Sequence, residues 1–219
     1  MMRPFLALVT NRPSAGRSRG SAWRRGGLCS LLLAAWPALA AESFVIYARP
    51  VALPEQGYVT GYIVETDGHQ FSFLPVRKWH LQSNAATKEV TFVAPNLSAS
   101  INLKILSKAS DAAPEMQSAA LRAWIQERYP KANIVGEFPC FANGGQGLAF
   151  DLEENRQKGL STTTRLAFLP FDDGVVEFKL TAPTTKFLNY KLALGNLLTS
   201  FRTDPDHPSF TPPPGGPKP

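Results

Sequence analysis

The sequence predicts an α+β domain in which a mostly antiparallel sheet is flanked by helices. Short runs that alternate apolar and polar side chains recur through the middle of the chain, as in strands with one buried face. Two stretches, residues 114–129 and 184–202, instead repeat apolar residues every three or four positions, as amphipathic helices do. Asp-Gly turns between neighbouring strand-like runs indicate hairpins, and therefore antiparallel pairing.

Length and terminal composition divide the chain into segments. The 219 residues are enough for one ordinary domain with terminal extensions. We assign residues 1–41 to a signal peptide, 42–57 to an extended N-terminal segment, 58–202 to a single α+β domain and 203–219 to a proline-rich disordered tail. The tail holds seven prolines, a composition that favours extended, solvated chain over helix or sheet.

The N-terminal segment has the pattern of a cleaved secretory signal. It contains six arginines and no acidic residue, and its apolar run closes on the small-x-small pattern Ala38-Leu39-Ala40. That run is shorter than the about 20 apolar residues of a spanning helix, so we expect cleavage after Ala40 or Ala41 and no stable membrane anchor afterwards. An uncleaved anchor is the alternative, and Arg24-Arg25 leaves twin-arginine export open. The protein is thus expected in the periplasm or secreted.

Charge distribution argues against a nucleic-acid partner. The formal net charge is +6, with 23 basic and 17 acidic residues. Because six of the basic residues precede the cleavage site, 23 minus 6 leaves 17 basic against 17 acidic groups in the mature chain. A nearly neutral chain gives no compositional support to a basic nucleic-acid-binding face.

The first half of the domain is predicted to form strands and then a helix. "YVTGYIVE" and "HQFSFLP" flank Thr66-Asp67-Gly68, which predicts a hairpin. "KEVTFVAP" and "SASINLKIL" alternate in the same way. Pro114 in the first turn and Pro130 after the last bound the predicted helix 114–129. Its buried stripe consists of Met116, Ala120, Leu121, Trp124 and Ile125.

The second half returns to strands and ends on a longer helix. Asp172-Asp173-Gly174 lies between the strand-like runs "TTRLAFLPF" and "VVEFKLT", after the runs "ANIVGEF" and "GLAFDLEE". We interpret it as a hairpin turn, since Asp and Gly tolerate positive φ and adjacent carboxylates do not converge as a catalytic pair must. Thr184 or Thr185 can cap the helix over 184–202. Its buried stripe consists of Phe187, Tyr190, Leu194, Leu197, Leu198 and Phe201.

Two stretches resemble the PsbP-like superfamily. "HQFSFLPVRKWHL" is similar to the Phe-rich strand, proline and Trp that open that domain, and "DDGVVEFKLTAPTTKFLNYKLALGNLLTSFR" resembles its closing hairpin and C-terminal helix. The resemblance spans about residues 58–202 and implies an α/β/α sandwich. It implies binding or assembly roles rather than a defined chemistry. The chain departs from some bacterial relatives because it lacks their lipid-attachment cysteine and adds a proline-rich tail.

The sequence contains no strong catalytic, cofactor or metal motif. Signal cleavage removes Cys29 and leaves Cys140 between aromatic neighbours, which predicts a buried structural thiol. His69, His80 and His207 lack the spacing of metal ligands. "NGGQG" lacks the lysine of a phosphate-binding loop and is interpreted as a strand connection. We expect no catalytic residue, no cofactor and no bound metal.

Two classes of function remain open at this point. The first is an exported, non-catalytic binding or assembly factor of the bacterial cell envelope with an envelope protein as partner. Arg49, Tyr58 and Trp79 are its predicted partner surface, because they flank extended, aromatic-edged segments of the kind that dock partners. The alternative is a small envelope enzyme that uses scattered residues such as Cys140 as nucleophile and His80 as base. The separation of these two side chains distinguishes the classes.

Overall fold

The computed structural model describes residues 44–53, 57–108, 112–143, 145–155 and 161–203. The predicted signal peptide and nearly all of the predicted proline-rich tail lie outside the described residues. Both predictions therefore stay predictions.

Eleven strands and two α-helices make up the described part of the chain. The strands are β1 Phe44–Leu53, β2 Gly57–Thr66, β3 His69–Phe73, β4 His80–Asn84, β5 Glu89–Val93, β6 Ser100–Ser107, β7 Asn133–Ala142, β8 Gly145–Asn155, β9 Ser161–Phe171, β10 Gly174–Pro183 and β11 Arg202–Thr203. The helices are α1 Ser118–Arg128 and α2 Phe187–Ser200, and a short 3-10 turn, Thr184–Lys186, precedes α2. Strands dominate, as the sequence predicts.

The strands form two antiparallel sheets rather than one. The small sheet has the order β1-β2-β3-β11, and the large sheet has the order β4-β5-β6-β10-β9-β8-β7. A single sheet was the expectation, because alternation identifies strands without saying which of them pair. The sheets face each other through aromatic contacts: Phe73 of the small sheet meets Phe92 of the large sheet edge to face at 5.6 Å between ring centroids.

Strand β1 extends the domain beyond its predicted start. Residues 44–53 lie in the segment that the sequence analysis placed before the domain, yet they pair with β2 from Phe44↔Thr66 to Leu53↔Gly57. At the other end, Thr203 pairs with Phe71. The folded region therefore includes strands on both sides of residues 58–202.

The two faces of the large sheet bury different clusters. On one face, Leu121 and Ile125 of α1 pack with Phe150, Leu166 and Phe168. On the other face, apolar residues of α2 and of the small sheet pack with alternate residues of the same strands. These alternate residues include Ala149, Ala167, Leu169, Val176 and Phe178. Strands β9 and β10 are thus buried on both sides over much of their length, which explains their runs of consecutive apolar residues.

Both helices are shorter than predicted. Residues 114–117 are not helical, although Met116 is partly buried against the α1 cluster, so its apolar spacing reflects packing without helix. In α2, no side-chain hydrogen bond caps the start. Instead the Thr184 hydroxyl accepts a hydrogen bond from Thr163 at 2.9 Å, which attaches the preceding turn to β9.

The two predicted hairpin turns are both present but differ in backbone conformation. Asp67 and Gly68 have φ of 51° and 80°, so the turn uses the left-handed region that Asp-Gly favours. Asp172 and Asp173 connect β9 to β10 without positive φ. The turn prediction is confirmed there, while the positive φ offered as its reason is wrong.

Among the described residues, no helix is long and apolar enough to cross a membrane.

Candidate functional site

A groove lies between helix α2 and the edge strand β7. Its volume is about 670 Å³, within the range of about 300–1,000 Å³ common for ligand sites. The apolar residues that line it are Phe138, Pro139, Cys140, Phe141, Ala149, Leu188, Leu192, Leu194, Gly195 and Leu198. Only Arg165, Lys191 and Thr199 are polar among its described lining residues, so the groove is suited to an apolar ligand.

The apolar rim exists because α2 carries leucines on two adjacent stripes. Leu194 and Leu198 point into the core and are buried, at 1% and 7% exposure. Leu188 and Leu192 lie on the next stripe and are 78% and 71% exposed. Across the groove, Phe141 of β7 is 60% exposed. Single exposed leucines are ordinary, but these three side chains border one groove and give it a continuous apolar edge.

Gly195 has no packing reason to be glycine. In the interior of a helix, glycine costs about 1 kcal/mol relative to alanine. A Cβ built on Gly195 would meet no atom within 4 Å, and its φ is not positive. Gly147 in β8 is the opposite case, because a Cβ there would overlap the carbonyl oxygen of Phe168. The space beside Gly195 is therefore open to the groove.

Two of the polar side chains that line the groove, Arg165 and Thr199, have hydrogen-bond partners within the protein. Arg165 is 8% exposed, and its Nε and Nη2 donate to the two carboxylate oxygens of Asp151 at 2.7 and 2.6 Å. Its guanidinium carbon also lies 4.3 Å from the ring centroid of Phe138. Thr199 donates its hydroxyl to the carbonyl of Gly195 at 2.9 Å. Both side chains therefore already donate hydrogen bonds to partners within the protein.

Lys191 differs from these groups. It is exposed on α2 and lines the groove, and within the described residues no hydrogen bond or ion pair engages its ammonium. Arg165, the other cation that lines the groove, is already paired with the Asp151 carboxylate. The groove thus combines apolar walls with one cation that is available to an anion.

Cys140 lies at the base of the groove and is chemically quiet. It is 7% exposed and free, and its Sγ lies 3.9 Å from the carbonyl oxygen of Phe168. Removal from water raises the pKa of the Cys140 thiol to about 11, because burial disfavours the thiolate. The predicted burial is confirmed, and very little thiolate exists near neutral pH.

The structure does not bring His80 near Cys140. His80 begins β4 and Cys140 lies in β7, the two opposite edges of the seven-stranded sheet. Six strand spacings of about 4.8 Å separate them, or about 29 Å across the sheet. A nucleophile and its base must lie within hydrogen-bond distance. The two residues therefore do not form a catalytic pair.

Arg49, Tyr58 and Trp79 are not gathered on one surface. Arg49 is opposite Gly61 in the small sheet and Tyr58 is opposite Ala52, so the two side chains point to opposite faces. Trp79 lies in the loop before β4, with its ring 5.8 Å from that of Tyr190 in α2. Tyr58 is 60% exposed, whereas Trp79 is half-buried against the core.

The Tyr190 hydroxyl connects α2 to the loop between β5 and β6. It lies 2.6 Å from the Ser98 hydroxyl and 2.8 Å from the Asn96 amide nitrogen. Hydrogen bonds from Ser98 and then Asn96 lower the pKa of Tyr190. Leu97, between them, has a φ of 57° and is 78% exposed. This contact attaches the first turn of α2 to that loop.

The acidic turn at Asp172-Asp173 contacts His69, the first residue of β3. Nε2 of His69 lies 2.9 Å from the carboxylate of Asp173, and the His69 ring packs edge-on against Phe171. The contact joins the hairpin of the small sheet to that of the large sheet. Asp173 is 72% exposed, and no group of three or more metal-ligating side chains occurs in the described part of the chain.

The groove residues were not predicted from the sequence. Leu188, Leu192 and Lys191 fall off the buried stripe of α2, and helix predictions leave such positions to solvent. Two signals were available: two leucines spaced by four on the flank of the stripe, and Gly195 in the middle of a strongly patterned helix. The strand facing them could be identified only from the fold.

No family model matches the chain, and no curated protein matches it. Solved structures with similar folds do exist. One is a protein of unknown function, PA94 of Pseudomonas aeruginosa, with 17% identity, 69% of this chain and 96% of that chain covered, and a TM-score of 0.39.

A second is LpqN, a Mycobacterium tuberculosis protein involved in cell envelope biogenesis, with 11% identity, coverage of 73% and 92%, and a TM-score of 0.47. A third is PsbP (CyanoP) of Synechocystis sp. PCC 6803, with 11% identity, coverage of 78% and 99%, and a TM-score of 0.43. This third protein, PsbP, gives its name to the superfamily that two stretches of the sequence resemble. These likenesses concern the fold and carry no conclusion about a ligand or a partner.

Proposed function

We propose that this protein is an exported, non-catalytic binding or assembly factor of the bacterial cell envelope, and that the groove between α2 and β7 is its recognition site. One observation carries the proposal: Leu188, Leu192 and Phe141 are largely exposed around a single apolar groove. A soluble domain gains nothing in stability by leaving such an edge in water, whereas a binding site requires it.

The chemistry of the groove supports recognition rather than catalysis. Its thiol, Cys140, has a pKa of about 11, and the charge of Arg165 is neutralised by Asp151. The alternative enzyme, with Cys140 as nucleophile and His80 as base, has no supporting observation because these residues lie at opposite sheet edges. Export rests on the predicted signal peptide, residues 1–41, and predicts a mature N-terminus near Ala41 or Glu42 in N-terminal sequencing of exported protein.

The groove is a better candidate than the surface predicted from the sequence. Arg49 and Tyr58 lie on opposite faces of the small sheet, so a partner cannot contact both on one flat surface. The groove instead presents its apolar side chains and Lys191 toward a common space.

Affinity capture from the envelope fraction of the source cell tests the proposal. Three baits are compared: the mature protein, its Leu188→Glu/Leu192→Glu variant, and a control variant, Leu97→Glu. Leu97 is as exposed as Leu188 but does not line the groove. We expect the groove variant to lose its partners by at least tenfold, while the control retains them. Equal capture by all baits contradicts the proposal. So does turnover of an ester, peptide or glycan substrate that a single substitution abolishes.

A further inference from the structure

The lining of the groove favours a ligand with few polar atoms. Its walls are apolar, and Arg165 and Thr199 already donate hydrogen bonds to the Asp151 carboxylate and the Gly195 carbonyl. A ligand with several polar groups would leave them without partners along these walls, at a considerable penalty. A ligand with one apolar body and few polar atoms avoids that penalty.

The position of Lys191 favours a ligand that also carries one negative charge. Its ammonium is the one polar lining group that the described residues leave without a partner, and it is one helical turn from both Leu188 and Leu194. A flexible, exposed lysine on the rim can pair with an anion while the apolar part of the ligand lies along the groove. The ligand should therefore carry a single anionic group at one end.

The absence of a side chain at Gly195 leaves space in the groove. Alanine at this position would meet no neighbour and would favour the helix, so stability alone does not account for glycine. A side chain at 195 would project toward the groove between Leu192 and Thr199. Glycine at this position keeps the groove wide. Binding sites often contain such residues, which lower the stability of the fold but are needed for function.

We infer that the groove binds a single-chain anionic amphiphile of the long-chain fatty acid type. Its acyl chain lies between Leu192 and Phe141 beside Gly195, and its carboxylate pairs with Lys191. The volume of about 670 Å³ suits a small molecule. This inference rests on the proposed function, because it names the ligand class of the same recognition site.

Fluorescence titration of the mature protein with a parinarate probe, followed by displacement with palmitate, tests the inference. We expect palmitate to bind, and Gly195→Leu to weaken binding by more than tenfold while the melting temperature does not fall. Lys191→Met should weaken palmitate by about two- to fivefold, as for a partly exposed ion pair, without changing the affinity for hexadecanol. Lys186→Met, a lysine just before the same helix and outside the groove lining, is the matched control and should bind as wild type.

The possible outcomes distinguish a failure of the fatty acid inference from a failure of the proposed function. No displacement by palmitate, or wild-type affinity in Gly195→Leu, overturns the fatty acid inference. If partner capture still depends on Leu188 and Leu192 in that case, the proposed function stands and the occupant is an apolar protein segment. Light scattering that shows a dimer dispersed by Leu192→Glu makes the occupant a second copy, which also overturns the inference. If palmitate binds but capture is independent of the groove, only the proposed function fails.

Discussion

The two helices cover opposite faces of the same sheet in different ways. Helix α1 is attached by charge at both ends: Glu137 accepts from Ser118 at 2.5 Å and pairs with Arg122, and Glu177 accepts from Arg128 at 3.1 Å. In contrast, no side chain of α2 forms an ion pair within the described residues. Helix α2 is held by apolar packing and by the hydroxyl contacts of Tyr190.

This difference explains where the open edge occurs. Charged side chains with fixed partners specify orientation and surround the α1 cluster, as Arg128 does by also lying 4.1 Å from the Trp124 ring centroid. Apolar packing does not specify where the covered area must end. Along α2, apolar side chains therefore continue past the core to Leu188 and Leu192, and the groove forms at that margin. We therefore expect substitutions on the two faces to change stability by different amounts, and the largest expected change comes first.

The largest effect should come from truncating a core leucine on either face. Leu121 of α1 and Leu194 of α2 are at most 1% exposed, so Leu121→Ala and Leu194→Ala should each lower the free energy of unfolding by about 2–5 kcal/mol. Leu188→Ala, on the groove rim, should change it by less than about 0.5 kcal/mol. Urea denaturation measures all three. A Leu188→Ala loss as large as that of Leu194→Ala would mean that the rim belongs to the core.

Breaking the charged attachment of α1 should have a smaller, pH-dependent effect. Burial raises the pKa of Glu177, and the neighbouring Arg128 opposes that rise. Arg128→Met leaves the Glu177 carboxylate without this partner and should lower the free energy of unfolding by about 1–3 kcal/mol at pH 7. The loss should become smaller as the pH falls, because protonation of Glu177 removes the unpaired charge. In a Glu177→Gln background, the pH dependence of the loss should disappear.

The sign of this pH dependence follows from linkage. Because the folded-state pKa of Glu177 lies above its unfolded value, its contribution to stability is fully present below the unfolded pKa. It is lost as pH rises through the folded pKa. Glu137 has the opposite sign, since its hydrogen bond from Ser118 lowers its pKa. Its contribution is present above the unfolded pKa and is lost as pH falls through the folded pKa.

The smallest effect concerns the groove glycine and should be stabilising. Gly195→Ala should raise the free energy of unfolding by about 0.5–1 kcal/mol, because alanine favours the helix and the new methyl meets open space. Gly147→Ala, made separately in the wild-type protein, should instead lower the free energy of unfolding, since its methyl would overlap the Phe168 carbonyl. Thermal melts of both variants test the contrast. A destabilised Gly195→Ala would show that this glycine has a structural reason after all.

The sequence identified most secondary structure but missed the edge strands β4 and β11. The hairpin at Asp67-Gly68 and the stripe of α2 were predicted because turn chemistry and helical periodicity are local properties. Strand β4 was not predicted, because "HLQSN" is a largely exposed edge strand without apolar alternation. The two-residue strand β11 has no pattern of its own and depends on its pairing with Ser72 and Phe71.

The candidate site depended on the fold to a greater degree. Cys140 was correctly predicted to be buried from its apolar neighbours, yet its position at the base of a groove could not be inferred from them. The separation of Arg49 from Tyr58 follows from the register of β1 and β2, because residues whose partners are an odd number apart point to opposite faces.

By itself, the sequence determined most of the strands and both helices, which face of α2 is buried and where the two hairpin turns lie. These features depend on side chains within a few residues of one another. The tertiary structure alone decided that the strands divide into two sheets, that His80 and Cys140 lie at opposite edges, and that Leu188 and Leu192 face β7 across a groove. These features depend on pairings between distant segments, whose energies are set by packing in three dimensions and leave no local pattern in the chain.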